Sequence, residues 1–239
     1  MQVDRGWDVH HLWHHQHRTY YVRVGSQSRE ASPEELQRLF QQRGTVRSEL
    51  RPVSGSSMES LDFRRLHEYF VRIRGQEVPE ETNVDSWKRL LINTEFISEE
   101  EDTFPATVAA LLLFGTNPAR FLPHAGIDAA AYADNVKDYA ARERMAIKGP
   151  ITPLLGRNGL VENGVIEQAV EFVKRNTGIK AGLENGTRRI EKQAYPEEAL
   201  RETLVNAVVH RDYMLSATDI ELSLFEDRIE VVSPGRLPN

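Results

Sequence analysis

Residues 196–232 constrain the fold of this chain more than any other stretch. The run Pro196-Glu-Glu-Ala-Leu-Arg-Glu-Thr-Leu-Val-Asn-Ala-Val-Val-His210 opens on a proline and two acids. Proline loses nothing at a position whose N–H has no helical partner, and carboxylates are favourable at the positive end of the helix dipole. The pattern predicts a helix from 196 to about 210, with Leu200, Leu204, Ala207 and Val208 on its buried side. Thr218 to Phe225 then alternates, with Ile220, Leu222 and Leu224 on one face. A tight turn near Glu226-Asp227 leads into Arg228 to Val232, where Ile229 and Val231 alternate again, which is the pattern of a β-hairpin.

Other segments carry their own punctuation. Thr19 to Ser26 is rich in aromatic and β-branched residues and reads as a strand ending at Gly25. Ser32-Pro33-Glu34-Glu35 is a capping box with proline at the first helical position, and it predicts a helix from 33 to about 42. Residues 44–60 hold Gly44, Pro52, Gly55 and three nearby serines, and read as a linker. Leu61 to Arg74 predicts an amphipathic helix with Leu61, Leu66, Tyr69, Phe70 and Ile73 inward. Trp87 to Ile92 predicts a second, short helix, and Glu99 to Asp102 a solvated acidic loop. Pro105 to Phe114 reads as a buried helix starting at its proline, and Ala125 to Tyr132 as a strand. Over 61–132 the order of elements fits either a winged-helix-like or a purely packing module, and its negative charge favours packing. A helix around Val165 to Val173 and a strand at Arg188 to Lys192 follow. The whole predicts an α+β chain.

Composition removes several classes of function. The 239 residues include no cysteine, so disulfides, thiolate zinc sites and cysteine nucleophiles are excluded. The net charge is −6 and no third of the chain is strongly basic, which argues against broad nonspecific coating of nucleic acid. No apolar run approaches a membrane span, and residues 1–13 lack the apolar stretch of a signal peptide, so no membrane partner and a cytoplasmic location are expected. Five of the eight histidines, His10, His11, His14, His15 and His17, fall within eight residues. His10/His14 and His11/His15 would share a face and suit a metal if the stretch were helical. With Trp7 and Trp13 among them, a solvated irregular segment is the expectation.

The helix 196–210 carries the candidate chemistry. Glu202, Asn206 and His210 are spaced i, i+4, i+8 and line one face. A solvated polar stripe accounts for such spacing. So does a Mg²⁺-phosphate device, because Mg²⁺ takes one or two protein oxygens and completes its shell with water and substrate phosphates. The carboxylate would alternatively orient a water for phosphoryl transfer. His210 and Arg211 also suit a helix end electrostatically.

The runs Ala199 to Tyr213 and Phe225 to Pro238, with Thr107 to Pro118, resemble the bacterial family of RecG-related ATP-dependent DNA helicases and transcriptional regulators. In that family a Schlafen/AlbA-like DNA-binding domain precedes a GHKL-type ATPase-like domain. Tyr20 to Ser26 and Ser32 to Leu36 resemble the tail of the first of these. The resemblance implies three parts: 1–45 as the remnant tail of the AlbA-like domain, 58–129 as a helical connecting module, and 130–239 as an incomplete GHKL-like α/β sandwich. It also implies a chain truncated at both ends. By the same resemblance Glu202 is the residue that polarises the attacking water, and Asn206 is the Mg²⁺ ligand and part of the nucleotide site. His210, Arg211 and Gly235 are the other nucleotide-binding positions. ATP, Mg²⁺ and DNA are the implied partners. Where the family has Asp-x-Gly-x-Gly, with the aspartate accepting from the adenine amino group, this chain has Ser233-Pro234-Gly235-Arg236-Leu237. No Gly-x-x-x-x-Gly-Lys-Ser/Thr loop occurs, so no helicase motor is implied. Three functions follow as expectations: a DNA-associated transcriptional regulator with an ATPase-like module, a Mg²⁺-dependent ATPase, or an interaction domain without nucleotide.

Overall fold

The computed structural model describes residues 9, 11–14, 17–42, 47–156, 159–177, 180–184, 188–192, 195–215 and 218–235. The chain has α+β architecture and divides into two compact units, Met1–Arg51 and Pro52–Asn239.

The first unit holds two small antiparallel hairpins and a helix. Strands β1 (Leu12–His14) and β2 (His17–Thr19) form one hairpin, so the described part of the histidine-rich stretch is extended rather than irregular. Strands β3 (Tyr21–Val24) and β4 (Gln27–Glu30) form the other, turning at Gly25, whose φ of 63° suits glycine. Helix α1 (Pro33–Gln42) starts where its capping box requires. The Ser32 N–H donates to Glu35 Oε2 at 2.9 Å, and the Glu35 N–H donates back to Ser32 Oγ at 3.3 Å. That backbone hydrogen bond, together with Arg29, holds the Glu35 carboxyl below its usual range. Phe40 meets Tyr20 edge-on at 5.6 Å, joining the helix to the hairpins.

The second unit begins with short helices around an aromatic core. Helix α2 (Phe63–Glu68) is capped by Asp62, whose carboxylate accepts from the Arg64 N–H, and it widens into a π-helical turn at Tyr69–Ile73. Leu61 is therefore buried outside the helix. The wider turn shifts the apolar stripe, so Ile73, expected inward, is 73% exposed. Helix α3 (Val84–Asn93) is capped by Asn83. Helix α4 (Val108–Phe114) does not begin at Pro105. Thr107 caps it, accepting from the Ala110 N–H, and Pro105 lies in the preceding extended segment. Helix α5 (Pro118–Phe121) is one turn. Phe70, Trp87, Phe96 and Phe114 pack these elements together, with Phe63 edge-on to Trp87 at 5.1 Å.

A four-stranded sheet follows. Its strands are β5 (Gly126–Ala131), β6 (Glu143–Lys148), β11 (Ile220–Leu224) and β12 (Ile229–Val232), in the order β12-β11-β5-β6. The β5–β11 pair is parallel, Ile127 opposite Ile220, and the other pairs are antiparallel. Two further hairpins lie between: β7 (Leu154–Gly156) with β8 (Gly159–Glu162), and β9 (Lys180–Glu184) with β10 (Arg188–Lys192). Helix α6 (Val165–Asn176) and helix α7 (Glu197–Val209) pack on one face of the sheet. Alternation in the strands sends Ile127, Ala129, Ile147, Ile220, Leu222 and Leu224 to that face, where α7 meets them with Leu200, Leu204, Ala207 and Val208. Arg65, 5% exposed, ties the helical part to the β7–β8 hairpin through the Thr152 carbonyl (2.7 Å) and the Glu162 carboxylate (2.9 Å). The boundary expected between 129 and 130 falls inside this unit and inside β5.

Candidate functional site

Helix α7 is fixed on three sides. Its apolar face lies in the sheet-layer core. Near its start, Arg201 donates to Glu167 of α6 at 2.6 Å, and Lys174 of α6 pairs with Glu197 at 2.6 Å. The Lys174 hydrogen bond holds the Glu197 carboxyl below its usual range. Pro196 is the cap residue, one position earlier than the first helical residue.

The C-terminal end is tied by the residues that follow it. A helix end leaves carbonyls without intrahelical partners. Here the Ser233 hydroxyl donates to the Ala207 carbonyl at 2.6 Å, and the Tyr213 hydroxyl donates to the Val208 carbonyl at 2.9 Å. Burial pushes the Tyr213 phenol up to about 12, so it stays a donor at any physiological pH. The Asp212 N–H donates to the Pro234 carbonyl at 2.7 Å. Gly235 lies so close that a Cβ there would stand 2.5 Å from the His210 carbonyl oxygen. Glycine at 235 is thus required by close backbone approach.

Arg211 is 6% exposed, and its guanidinium donates to the carbonyls of Asp212, Leu215 and Thr218 at 3.1, 3.0 and 2.7 Å. It also lies over the Tyr213 ring, 4.8 Å from the centroid. Burial lowers its pKa from the usual value. Arg211, expected beside the phosphates, is turned inward, and its geometry is that of a loop staple.

The outer face of α7 is different. Glu202, Asn206 and His210 are all exposed, as their spacing requires. Val205 and Val209 stand beside them, 39% and 65% exposed. Glu202 and Asn206 are separated by about 6 Å along the axis, a distance that lets one carboxylate and one amide oxygen face a common ion. The donor set suits Mg²⁺, a hard ion that keeps most of its shell for water and phosphate oxygens. So the structure leaves Glu202, Asn206 and His210 on one accessible face, and it places Arg211 and Gly235 in the scaffold beneath the end of that face.

A second group of charged side chains has no signature in the sequence. Lys148 Nζ donates to Asp219 Oδ1 at 2.7 Å and to the Pro123 carbonyl at 3.1 Å. His124 Nδ1 lies 3.4 Å from Asp219 Oδ2. Burial, and next the neighbouring Asp219 charge, push the Asp128 carboxyl up. Burial also pushes Asp219 up, but its hydrogen bonds and charge contacts with Lys148 and His124 outweigh this and leave it below its usual value. Only the β5–β6–β11 register brings these residues together. Among the described residues, no group of three or more His, Asp or Glu is gathered to hold a metal, and no helix is long and apolar enough to cross a membrane.

No family model matches this chain, and no curated protein matches it. Among solved structures it is similar to the DIP2311 protein from Corynebacterium diphtheriae, with a TM-score of 0.50 and 18% sequence identity. The match covers 92% of this chain and 39% of that one, so the chain spans well under half the length of its structural neighbour. The likeness is one of fold, and it extends over both units described above.

Proposed function

We propose that this chain is a module of a DNA-associated regulator of transcription in which the outer face of α7 receives a magnesium-bound nucleotide, ATP by the family resemblance. The observation that carries this is the division of labour on α7. Its inner face, its start and its end are tied into the fold, while Glu202, Asn206 and His210 are left exposed in one row. None of the three side chains takes part in the core packing or the ties at the helix end described above. Asn206 supplies an amide oxygen to the metal. Glu202, one turn earlier, holds and orients a water for attack on the terminal phosphate, accepting its proton. His210, one turn later, donates to phosphate oxygens. When bound, Mg²⁺ neutralises phosphate charge. Arg211, Tyr213 and Ser233 position this row by fixing the helix end.

The test is calorimetric titration of the chain with ATP, with and without Mg²⁺. Binding is expected to require Mg²⁺, to weaken at least tenfold in Asn206→Ala, and to survive in Glu202→Gln with hydrolysis lost. Absence of heat in every case overturns the nucleotide reading. The DNA role is tested by the salt dependence of duplex binding, which falls steeply with salt when phosphate contacts dominate. A flat response overturns it. A second reading, an interaction domain without nucleotide, is favoured by one observation: the exposed Val205 and Val209 give the same face an apolar component. It predicts no nucleotide heat, and loss of partner capture in Val209→Asp.

A further inference from the structure

We propose that Asp128 is a proton-operated latch on the segment that ends α7: protonated, it bonds to Asp219 and holds that segment to the sheet, and ionised, it repels Asp219 and loosens it. The latch lies on the face of the sheet turned away from α6 and α7. Strand alternation sends Ile127, Ile147 and Ile220 to the helices, so Asp128, Lys148, Asp219 and Glu221 point the other way. Gly126 is opposite Lys148, and Ile127 is opposite Ile220, so Lys148, Gly126 and Asp219 form one row across β6, β5 and the start of β11. The glycine leaves that row open. A Cβ at 126 would stand 2.6 Å from Lys148 Cδ, and without it the lysine crosses to Asp219 Oδ1 at 2.7 Å. In the next row on the same face, Asp128 stands directly opposite Glu221 and diagonal to Asp219.

Asp128, Asp219 and Glu221 thus share a patch with Lys148 and Lys137. Lys137, from the segment after β5, is taken by Glu221 at 2.8 Å, and Lys148 is taken by Asp219. His124, in the turn before β5, lies 3.4 Å from Asp219, and Arg144 of β6 is turned to the Asp138 carbonyl. Asp128 is left facing two carboxylates. Burial first, and the Asp219 charge next, favour its protonated form, which donates a hydrogen bond to Asp219. Burial works against the Asp219 charge, but Lys148 and His124 outweigh it, so the proton settles on Asp128. Asp128 is reached by solvent and exchanges that proton directly. The charge on Asp219 matters to the end of α7 through Arg211. Arg211 is 6% exposed, its Nε has no hydrogen-bond partner among the described residues, and its other nitrogens donate to carbonyls only. Burial disfavours this cation, and the nearby Asp219 and Asp212 carboxylates oppose that cost. Arg211 directly follows His210 and donates to the carbonyl of Thr218, which is joined to Asp219 by the peptide bond. A push on Asp219 therefore reaches both ends of the 211–218 segment.

The test is amide hydrogen exchange of the full chain at pH 4.0 and pH 7.5, with each rate divided by that of an unstructured chain at the same pH. The chains compared are the native sequence, Asp128→Asn and His124→Gln, and no nucleotide is needed. Relative to the amides of α4, those of 211–215 and 218–221 should be about threefold or more better protected at pH 4.0 than at pH 7.5 in the native chain. Asp128→Asn keeps a donor toward Asp219 and carries no charge, so its protection should be high at both pH values. His124→Gln should keep the native pH dependence, because the switching proton is on Asp128. The native chain gives a reading independent of any variant's folding. The Asp128 side-chain carboxyl resonance should titrate above the ordinary 3.8, with the same midpoint as the amide shifts of 211–221. Protection that does not change with pH relative to α4 overturns the proposal. So does a pH dependence that survives in Asp128→Asn or vanishes in His124→Gln, or an Asp128 midpoint at or below the ordinary value.

Discussion

The helical part of the second unit and the sheet layer bury their cores by different means. Around α2, α3 and α4 the core is aromatic: Phe70, Trp87, Phe96 and Phe114 are buried, and Phe96 meets Phe114 edge-on at 5.1 Å. Against the sheet, the buried cluster has one aromatic residue, Phe172, and four alanines, Ala129, Ala131, Ala169 and Ala207. Helix length explains the contrast. Helices α2 and α4 have six and seven residues, too short to be stable through their own hydrogen bonds, so each position must bury a large surface. Helices α6 and α7 have twelve and thirteen residues and lie along a sheet, where small side chains allow close approach over the whole length. Since α7 is held by one face and its two ends, its other face is free to differ without cost to the fold. That freedom is what places Glu202, Asn206 and His210 in solvent.

The contrast breaks most visibly at Phe70. Phe70→Ala should destabilise by about 3–5 kcal/mol, the range for aromatic truncation in a packed core, with the loss read by urea denaturation at unchanged slope. Leu204→Ala in the sheet layer should cost about 2–4 kcal/mol, because less surface is removed and no ring contacts are lost. A larger loss at Leu204 than at Phe70 would reverse the ranking of the two cores. Tyr213→Phe removes only the donor to the Val208 carbonyl and should cost about 1 kcal/mol, together with faster amide exchange at the end of α7.

Asp128 tests the open side of the sheet through pH. Its folded-state pKa is raised, so its contribution to stability is complete below the ordinary value of 3.8 and is lost as pH rises through the folded value. Asp219 has the opposite sign: its contribution is present above 3.8 and is lost as pH falls through its lowered value. Asp128→Asn should therefore raise stability at pH 7 relative to the native chain and leave pH 3 little changed, as read from denaturation midpoints across that range. The smallest effect is expected on the outer face of α7. Glu202→Ala and Asn206→Ala should each change stability by less than about 0.5 kcal/mol, the usual range for surface positions. A loss above that would mean the row belongs to the scaffold, not to a ligand site.

Local signals in the chain were legible where one short segment contains both halves of the interaction. Ser32 and Glu35 form their capping box because both partners lie within four residues. The hairpin at 226–227 closes where the alternation breaks, with the Phe225 N–H donating to the Arg228 carbonyl at 2.8 Å. Prolines were less reliable markers, since Pro105 lies three positions before the first helical residue, Val108, and Thr107 is the cap. Strand β6 escaped because Glu143-Arg-Met-Ala-Ile-Lys148 hides two inward residues, Met145 and Ile147, among charges. The candidate row on α7 was visible from its spacing. The roles of Arg211, Tyr213 and Ser233 were not, because each is defined by a carbonyl whose position depends on how the chain folds back.

The sequence by itself determined the helices opened at Pro33 and Pro196, the alternation of 220–224 and 229–232, and that Glu202, Asn206 and His210 share a face, because helical and strand periodicities are properties of neighbouring residues. Tertiary structure alone decided that Lys148 meets Asp219 across 71 positions, that Gly235 abuts His210, and that Arg211 is enclosed. These contacts arise from strand register and layer packing, and register is fixed by the summed burial of a whole sheet face, a quantity no local window contains.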